Sequence, residues 1–280
     1  MSKGFILIAT HHALYHRFAV TLANSIKSFN NNIQITLLSD RPIDNKLFDN
    51  VIVLPQNIVK SATSAKVHIY DLSPYDETIY LDVDMIWLTN NSPEKLFEQF
   101  AGIDFTMSNE GYHEVGGRDT TNKQYPYWGD LKEMIETYGI KKLYKLRSEF
   151  IYFKKSDKVK RLFDKAKEVF EKPLTVTVSF NGGGVADEYA FNVASGVCEL
   201  YPHKDNWTPI YWAWEHDKYR LKRRQIISDY YAYSLGGNRN KPEQAKFFND
   251  LSKYFSKLTG LTYPMEAKNK REHIQTRVKI

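Results

Sequence analysis

A single cysteine, Cys198, occurs in 280 residues. It has no partner for an intrachain disulfide and no second thiolate for a cysteine-based zinc site, so a reducing compartment is the default expectation. Long hydrophobic runs are missing too. The apolar stretch Phe5 to Ala9, after Lys3, is too short for the core of a signal peptide, and no later run approaches membrane-spanning length. Charge of one sign does not dominate: 39 basic residues face 33 acidic ones, and the net +6 suits a nucleoside diphosphate or a polyanion without demanding either. No internal repeat and no low-complexity linker interrupts the chain. These absences leave the expectation of a soluble, cytoplasmic, globular protein. Its 42% hydrophobic content is enough to bury one large core or two coupled halves. The 19 tyrosines and 16 phenylalanines favour flat ligands such as sugars and bases, and equally a well-packed core.

What is present is organised around Glu77 to Asn91. An apolar strand, Thr78 to Leu81, runs into two carboxylates one residue apart, Asp82 and Asp84, and Ile86 and Leu88 follow. On an extended chain, side chains two apart share a side, so the two carboxylates converge on one point. Two acids near a buried strand end repel unless a cation or donors neutralise them. A hard divalent ion carrying a diphosphate meets that need, since such ions take one or two carboxylates plus phosphate oxygens. A bare Asp-x-Asp reads more simply as a solvated turn; its place in a strongly apolar strand shifts the reading toward metal.

The rest of the chain supplies the setting. Phe5 to Ala9 reads as a first strand, and Ala13 to Phe29 as a helix with Leu14, Phe18, Leu22 and Ile26 on one face. Strands are expected at Ile33 to Leu38 and Val51 to Leu54, and a helix at Ser61 to Leu72 with Pro74 beyond its end. This alternation argues for an α/β fold with a mostly parallel sheet flanked by helices. Ligands of such sheets bind at the carboxyl ends of strands, where Thr10, Asp40, Asp82 and Asp84 fall. Further on, helices are expected at Pro93 to Phe100, Asp157 to Phe170, Tyr189 to Ala194 and Pro242 to Leu258, and strands at Asp104 to Met107 and Phe150 to Phe153. Asn109 to Asp130, with Trp128, reads as a mobile loop with an aromatic face, and Tyr201 to His216 as a loop bearing Trp207, Trp212 and Trp214. Those tryptophans suit a sugar or base platform, and core packing equally. Asn181-Gly-Gly-Gly184 lacks the spacing of a dinucleotide or P-loop signature. His11, His12 and His16 have no carboxylate at metal-ligand spacing and read as polar contacts. The basic residues Lys268 to Lys279 read as a solvated tail that could touch phosphates.

The run from Ser64 through Lys66, Tyr70 and Tyr80 to Asp82-Val-Asp84 and Asn90 resembles the core of glycogenin- and galactosyltransferase-like enzymes, glycosyltransferase family 8. Thr10, Tyr15 and Arg17 resemble that family's uridine-binding segment. Phe150-Ile-Tyr-Phe-Lys-Lys-Ser156 resembles its central strand, and Asp187-Glu-Tyr-Ala-Phe-Asn192 its Asp-Gln-x-x-x-Asn segment. The resemblance implies the GT-A fold, one Rossmann-like domain with coupled donor and acceptor halves. It implies a UDP-sugar donor, and Mn2+ or Mg2+ held by Asp82 and Asp84. Lys66 would then neutralise the diphosphate or touch the donor sugar, and Tyr15 would stack on the uracil. Asp187 and Glu188 would face the reacting sugar; their simpler role is to open the next helix. Residues 1–100 would bind the nucleotide sugar, 101–241 would bind the acceptor and carry catalysis, and 242–280 would be a C-terminal helix and tail.

Three departures from the family pattern matter. Asp-Gln reads Asp187-Glu188, Asn-Ser-Gly reads Arg147-Ser148-Glu149, and the C-terminal histidine that completes the family's metal shell is absent. Only Ser234-Leu-Gly-Gly followed by Lys241-Pro242 echoes that segment; water, Ser234 or Tyr233 is left as the third ligand, with Arg239 and Lys241 as diphosphate contacts. The acceptor reads either as a saccharide, glycan or protein hydroxyl, or as a hydroxymethylated base in DNA. The second draws on the net charge and tail, and on the flipping and phosphate neutralisation such an enzyme needs. Two other classes stay open. A sugar nucleotidyltransferase would open with a glycine-rich loop, which Ala9-Thr10-His11-His12 is not; a non-catalytic binding protein would not need Asp82, Asp84 and Lys66 together.

Overall fold

The computed structural model describes residues 1–61, 63–88, 92–121, 127–174, 185–213, 223–236 and 242–260. The strands are β1 (Lys3–Ala9), β2 (Gln34–Ser39), β3 (Asn50–Val53), β4 (Glu77–Leu81), β5 (Met85–Trp87), β6 (Phe105–Glu114), β7 (Lys142–Lys154), β8 (Ile210–Trp212) and β9 (Ala232–Ser234). The helices are α1 (Ala13–Lys27), α2 (Ile69–Leu72), α3 (Pro93–Gln99), α4 (Leu131–Tyr138), α5 (Asp157–Glu171), α6 (Asp187–Cys198), α7 (Arg223–Asp229) and α8 (Pro242–Thr259). A six-stranded sheet has the order β3-β2-β1-β4-β7-β6, and a three-stranded sheet the order β5-β9-β8. Pairing is parallel from β1 to β2 and from β2 to β3, and antiparallel between β6 and β7. This is the α/β architecture expected from the sequence. Among the described residues, no helix is long and apolar enough to cross a membrane.

The chain forms two compact units that interleave along the sequence. One comprises Gly4–Leu54, Leu81–Ala101 and Pro209–Ile280. Its apolar strands explain its core: the side chains of β1 from Phe5 to Ala9 are buried, as are those of β2 from Ile35 to Ser39, which is the pattern of parallel strands covered on both faces. The Phe5 ring meets Trp87 at 5.7 Å and Phe97 at 5.6 Å, both edge-on. The backbone N–H of Trp87 donates to Ser25 Oγ of α1 at 2.9 Å, which ties the small sheet to that helix. Because Phe5 is fully buried among large rings, Phe5→Ala is expected to cost about 3–5 kcal/mol through the cavity it leaves, read as a lowered urea midpoint at unchanged slope.

The other unit comprises Met1–Lys3, Pro55–Tyr80 and Gly102–Thr208. Helix α5 buries Val159, Leu162, Phe163, Ala166 and Val169, the three-to-four-residue stripe of an amphipathic helix. Phe163 meets Phe153 of β7 at 5.1 Å and Phe191 of α6 at 5.5 Å, so the stripe joins helix to helix and helix to strand.

Several local expectations are revised. The helix expected over Ser61 to Leu72 is reduced to a 3-10 turn, Lys66–His68, running into the short α2. The hydroxyl of Ser64 donates to Ile58 O at 2.6 Å and Ser61 O at 3.0 Å, and such side-chain bonds to the backbone compete with helix formation. The loop expected from Asn109 begins later, because β6 continues to Glu114 across a bulge between Asn109 and Tyr112. Strand β7 starts at Lys142, well before the expected Phe150. The Tyr201 to His216 loop contains β8. Asn181 to Gly184, Trp214, Arg239, Lys241 and the basic tail lie outside the described residues.

Candidate active site

In the unit that contains β1 and β2, both strands end in polar residues that bind one another. Asp40, just past β2, is the hub. Its Oδ2 accepts the His11 backbone N–H at 2.7 Å, its Oδ1 pairs with Arg41 Nε at 2.9 Å, and His16 Nε2 lies 3.3 Å from Oδ1. Burial opposes the charge on Asp40, but Arg41, the His11 N–H and His16 together hold its carboxyl below the usual range. His11 adopts φ 68°, a left-handed conformation in which histidine is tolerated better than most residues. Burial, then Arg41, lowers the pKa of His16. The sequence offered no carboxylate for His16; the fold brings Asp40 to it. Thr10 is buried at 5% exposure and its Oγ1 meets His11 Nδ1 at 2.9 Å. Tyr15 is half-buried in the first turn of α1 and Arg17 is exposed; His12 caps that helix by accepting the Leu14 N–H at 3.1 Å.

Asp82 and Asp84 follow β4 in the bend before β5. Both are half-exposed while Val83 between them is buried at 5%. Val83 packs inward while the two flanking acids keep part of their surface accessible. The Asp84 carbonyl accepts the Leu235 N–H at 3.0 Å, and β5 pairs antiparallel with β9, Met85 opposite Ser234. The bend is thus clamped by main-chain bonds that do not depend on the acidic side chains. A pair of hard oxygen donors in this setting fits a divalent ion that also binds phosphate oxygens. Among the described residues no group of three His, Cys, Asp or Glu is placed to hold a metal ion. Tyr233, considered as a third ligand, is 1% exposed, stacked at 6.0 Å on Tyr211 and edge-on to Phe247 at 4.9 Å. Its ring belongs to the core. Ser234 is 3% exposed.

The other unit holds a second cluster. Lys66 lies 3.2 Å from Asp187 Oδ2, and its Nζ donates to Ser148 Oγ at 3.1 Å. Lys66 and Asp187 are both buried, at 8% and 4% exposure. A second link supports them: Thr63 Oγ1 donates to Val185 O at 2.9 Å. Asp187 and Glu188 open α6, whose N-cap, Ala186, has no side-chain cap bond. Their carboxylates turn instead to other elements. Glu188 Oε2 accepts from Trp128 Nε1; Oε1 accepts the Ser148 N–H at 3.4 Å and lies 3.8 Å from Arg147 Nε. Burial raises the Glu188 pKa, opposed by Arg147, increased by Asp187, and opposed again by Lys66 and the Trp128 bond. Asn192, one turn into α6, accepts the Leu146 N–H through Oδ1 at 2.8 Å, which fixes α6 against β7.

Beside this lie Lys145 and Glu110, which sequence reasoning passed over, and Arg147 and Glu149, which it marked only as a departure from the family pattern. Lys145 Nζ and Arg147 Nη1 reach Glu110 at 3.0 and 3.2 Å, and Arg147 Nε is 3.9 Å from Glu149. Lys145, Arg147 and Glu149 alternate along β7, a period-two signal hidden by starting that strand at Phe150. Burial lowers the Lys145 pKa, partly offset by Glu110. Trp207 packs edge-on against Phe150 at 5.6 Å and His203 at 4.7 Å, and Trp212 is buried at 6%. Trp212 thus belongs to the core, while Trp207 packs on these rings and stays partly exposed.

The architecture is the GT-A fold of glycosyltransferases. Solved structures with this likeness include the bifunctional glycosyltransferase WbbM, with a TM-score of 0.56 and 11% identity over 91% of this chain and 50% of that one. The galactosyltransferase LgtC, in complex with donor and acceptor sugar analogues, gives 0.54 and 12% over 94% of this chain and 98% of that one. The glycosyltransferase GlyE of Streptococcus pneumoniae gives 0.55 and 14% over 93% and 63%. The chain spans about half the length of WbbM and nearly all of LgtC. No protein-family model and no curated protein matches it by sequence.

Proposed function

We propose that this chain is a metal-dependent glycosyltransferase that moves a sugar from a UDP-sugar to a hydroxyl group of an acceptor, with retention of configuration. The observation that carries the reading is the Asp82/Asp84 pair, half-exposed around buried Val83 in a main-chain clamp, in a chain with the GT-A fold. Mn2+ or Mg2+ held by these two carboxylates would supply Lewis acidity to the departing diphosphate. Thr10, Tyr15 and Arg17 bind the uridine, and Asp40 shapes that segment through the His11 N–H. Lys66, Arg239 and Lys241 supply positive charge to the donor. Asp187 and Glu188 place anionic oxygen where positive charge develops at the anomeric carbon. Glu188 replaces the amide of the family pattern; LgtC has itself been solved as an active-site glutamine-to-glutamate variant. Residues 1–100 serve the donor, 101–241 the acceptor and catalysis, and the lone, half-buried Cys198 suits work in the cytoplasm.

The acceptor is a saccharide or a hydroxymethylated DNA base, and one experiment separates them. UDP release is measured with Mn2+ from a panel of UDP-sugars, each alone, with simple saccharides, and with DNA containing hydroxymethylcytosine or hydroxymethyluracil. Release from at least one donor, raised by one acceptor class, is the expected result. Absence of release from every donor would overturn the reading.

A further inference from the structure

Helix α8 packs along α1 within the one compact unit that holds both. Aromatic pairs mark the two ends of the contact: Phe18 meets Phe248 edge-on at 5.7 Å, and Phe29 meets Phe255 at 6.3 Å. Between these rings the chemistry changes. A cavity of about 40 Å3 lies there, lined by Val20, Thr21 and Asn24 of α1, Asn45 and Leu47 of the β2–β3 connection, and Ser252 of α8.

Most polar groups beside this cavity are already satisfied. Thr21 Oγ1 donates to Arg17 O at 3.0 Å, and Ser25 Oγ donates to Leu22 O at 2.8 Å, so both hydroxyls serve their own helix. Asn45 Oδ1 accepts the Leu47 N–H at 3.0 Å. Two atoms are left over. Asn24 Oδ1 and Ser252 Oγ are buried and have no hydrogen-bond partner among the described residues, and the residues that carry them are 6% and 1% exposed. A serine in a helix can turn its hydroxyl back to a carbonyl one turn earlier; Ser252 does not. Leaving a buried amide oxygen or hydroxyl unpaired costs more than an average hydrogen bond contributes, and two such atoms on one cavity call for a shared partner.

The cavity restricts what that partner can be. It donates to Asn24 Oδ1, which only accepts, and it meets a hydroxyl that can do either. Turning the Asn24 amide over would place a donor there instead, and a partner able to do both serves that arrangement too. The partner is neutral, since no charged side chain lines the cavity and a buried ion needs a counter-charge. It is also small. One water needs about 10–15 Å3 of such space, and the 40 Å3 present suits water and not a sugar or nucleotide.

We propose that this cavity is a binding site for ordered water, which bridges Asn24 of α1 to Ser252 of α8 and seats α8 through a hydrated joint between two aromatic contacts. None of its lining residues belongs to the donor or transfer residues proposed above, so the site stands independently of that reading.

The test compares the full chain with its Ser252→Ala variant. Alanine favours a helix more than serine does, and the change removes a buried hydroxyl. Without a bridging water both effects would raise the urea midpoint. With the bridge, the variant leaves Asn24's water one partner short, and the expected result is a lower midpoint at unchanged slope. A crystal structure of the unaltered protein should show water within hydrogen-bond distance of both Asn24 and Ser252, and in Ser252→Ala that water should lose occupancy. Xenon enters dry apolar cavities, so crystals pressurised with the gas should hold none here. A midpoint that rises or stays in place overturns the inference. So does xenon at the site, an occupant other than water, or a direct bond from Asn24 Oδ1 or Ser252 Oγ to another protein group.

Discussion

Asp84→Ala is expected to lower UDP-sugar turnover by roughly a thousandfold or more while leaving the fold intact. The two halves of that expectation come from different parts of the residue. Its backbone carbonyl accepts the Leu235 N–H at 3.0 Å, and the β5–β9 register beside it runs Met85 to Ser234, Ile86 to Tyr233 and Trp87 to Ala232. Alanine keeps all of this. Val83, buried at 5%, still anchors the bend. The half-exposed carboxylate is another matter, since its removal takes away one of two hard oxygen donors. Losing a metal's charge stabilisation costs several kcal/mol in the transition state, and each 1.4 kcal/mol is about tenfold in rate. Asp84→Asn, which keeps the shape and removes the charge, should fall nearly as far. A Mn2+ titration adds an independent check: residual activity should need more metal for half-saturation. Normal turnover in Asp84→Ala would mean that Asp82 and Asp84 do not hold the donor's metal.

The Asp82-Val-Asp84 bend was legible because two simple periodicities agree there. An apolar run marks a buried strand, and period two sends both acids to one side. The same rule applied to β7 would have found Lys145, Arg147 and Glu149, yet these residues are polar enough to disguise the strand that carries them. Their burial makes sense only once Glu110 is brought alongside from β6, and no local pattern announces that pairing. The Asp40–His16 contact is hidden for the same reason: it joins the end of one strand to the helix after another. The helix expected over Ser61 to Leu72 failed differently. Its end signals, with Pro74 beyond the last turn, were suitable, but the Ser64 hydroxyl found backbone carbonyls nearer to hand. Pattern reading therefore located an acidic bend that one short segment builds. It missed the groups whose environment is assembled from several.

Lys66→Met is expected to destabilise the protein by about 3–5 kcal/mol, the usual cost of stranding one member of a buried ion pair. Methionine keeps most of the aliphatic length, so lost packing is a minor part of that figure. What is lost is the charge facing Asp187 at 3.2 Å, with the donor to Ser148 Oγ at 3.1 Å. Solvent screening offers little relief, because the two side chains are only 11% and 6% exposed. The double variant Lys66→Met/Asp187→Asn removes both charges and should be markedly more stable than Lys66→Met alone, since a buried pair replaced together is often near neutral. The coupling energy from the four proteins, measured by urea unfolding, isolates the pair from its surroundings. Simple additivity would show that the two residues do not depend on each other. Activity gives the complementary reading. Under the proposed function both residues act in transfer, so the double variant should recover stability and stay inactive; a stable and active double variant would reduce the pair to a structural contact.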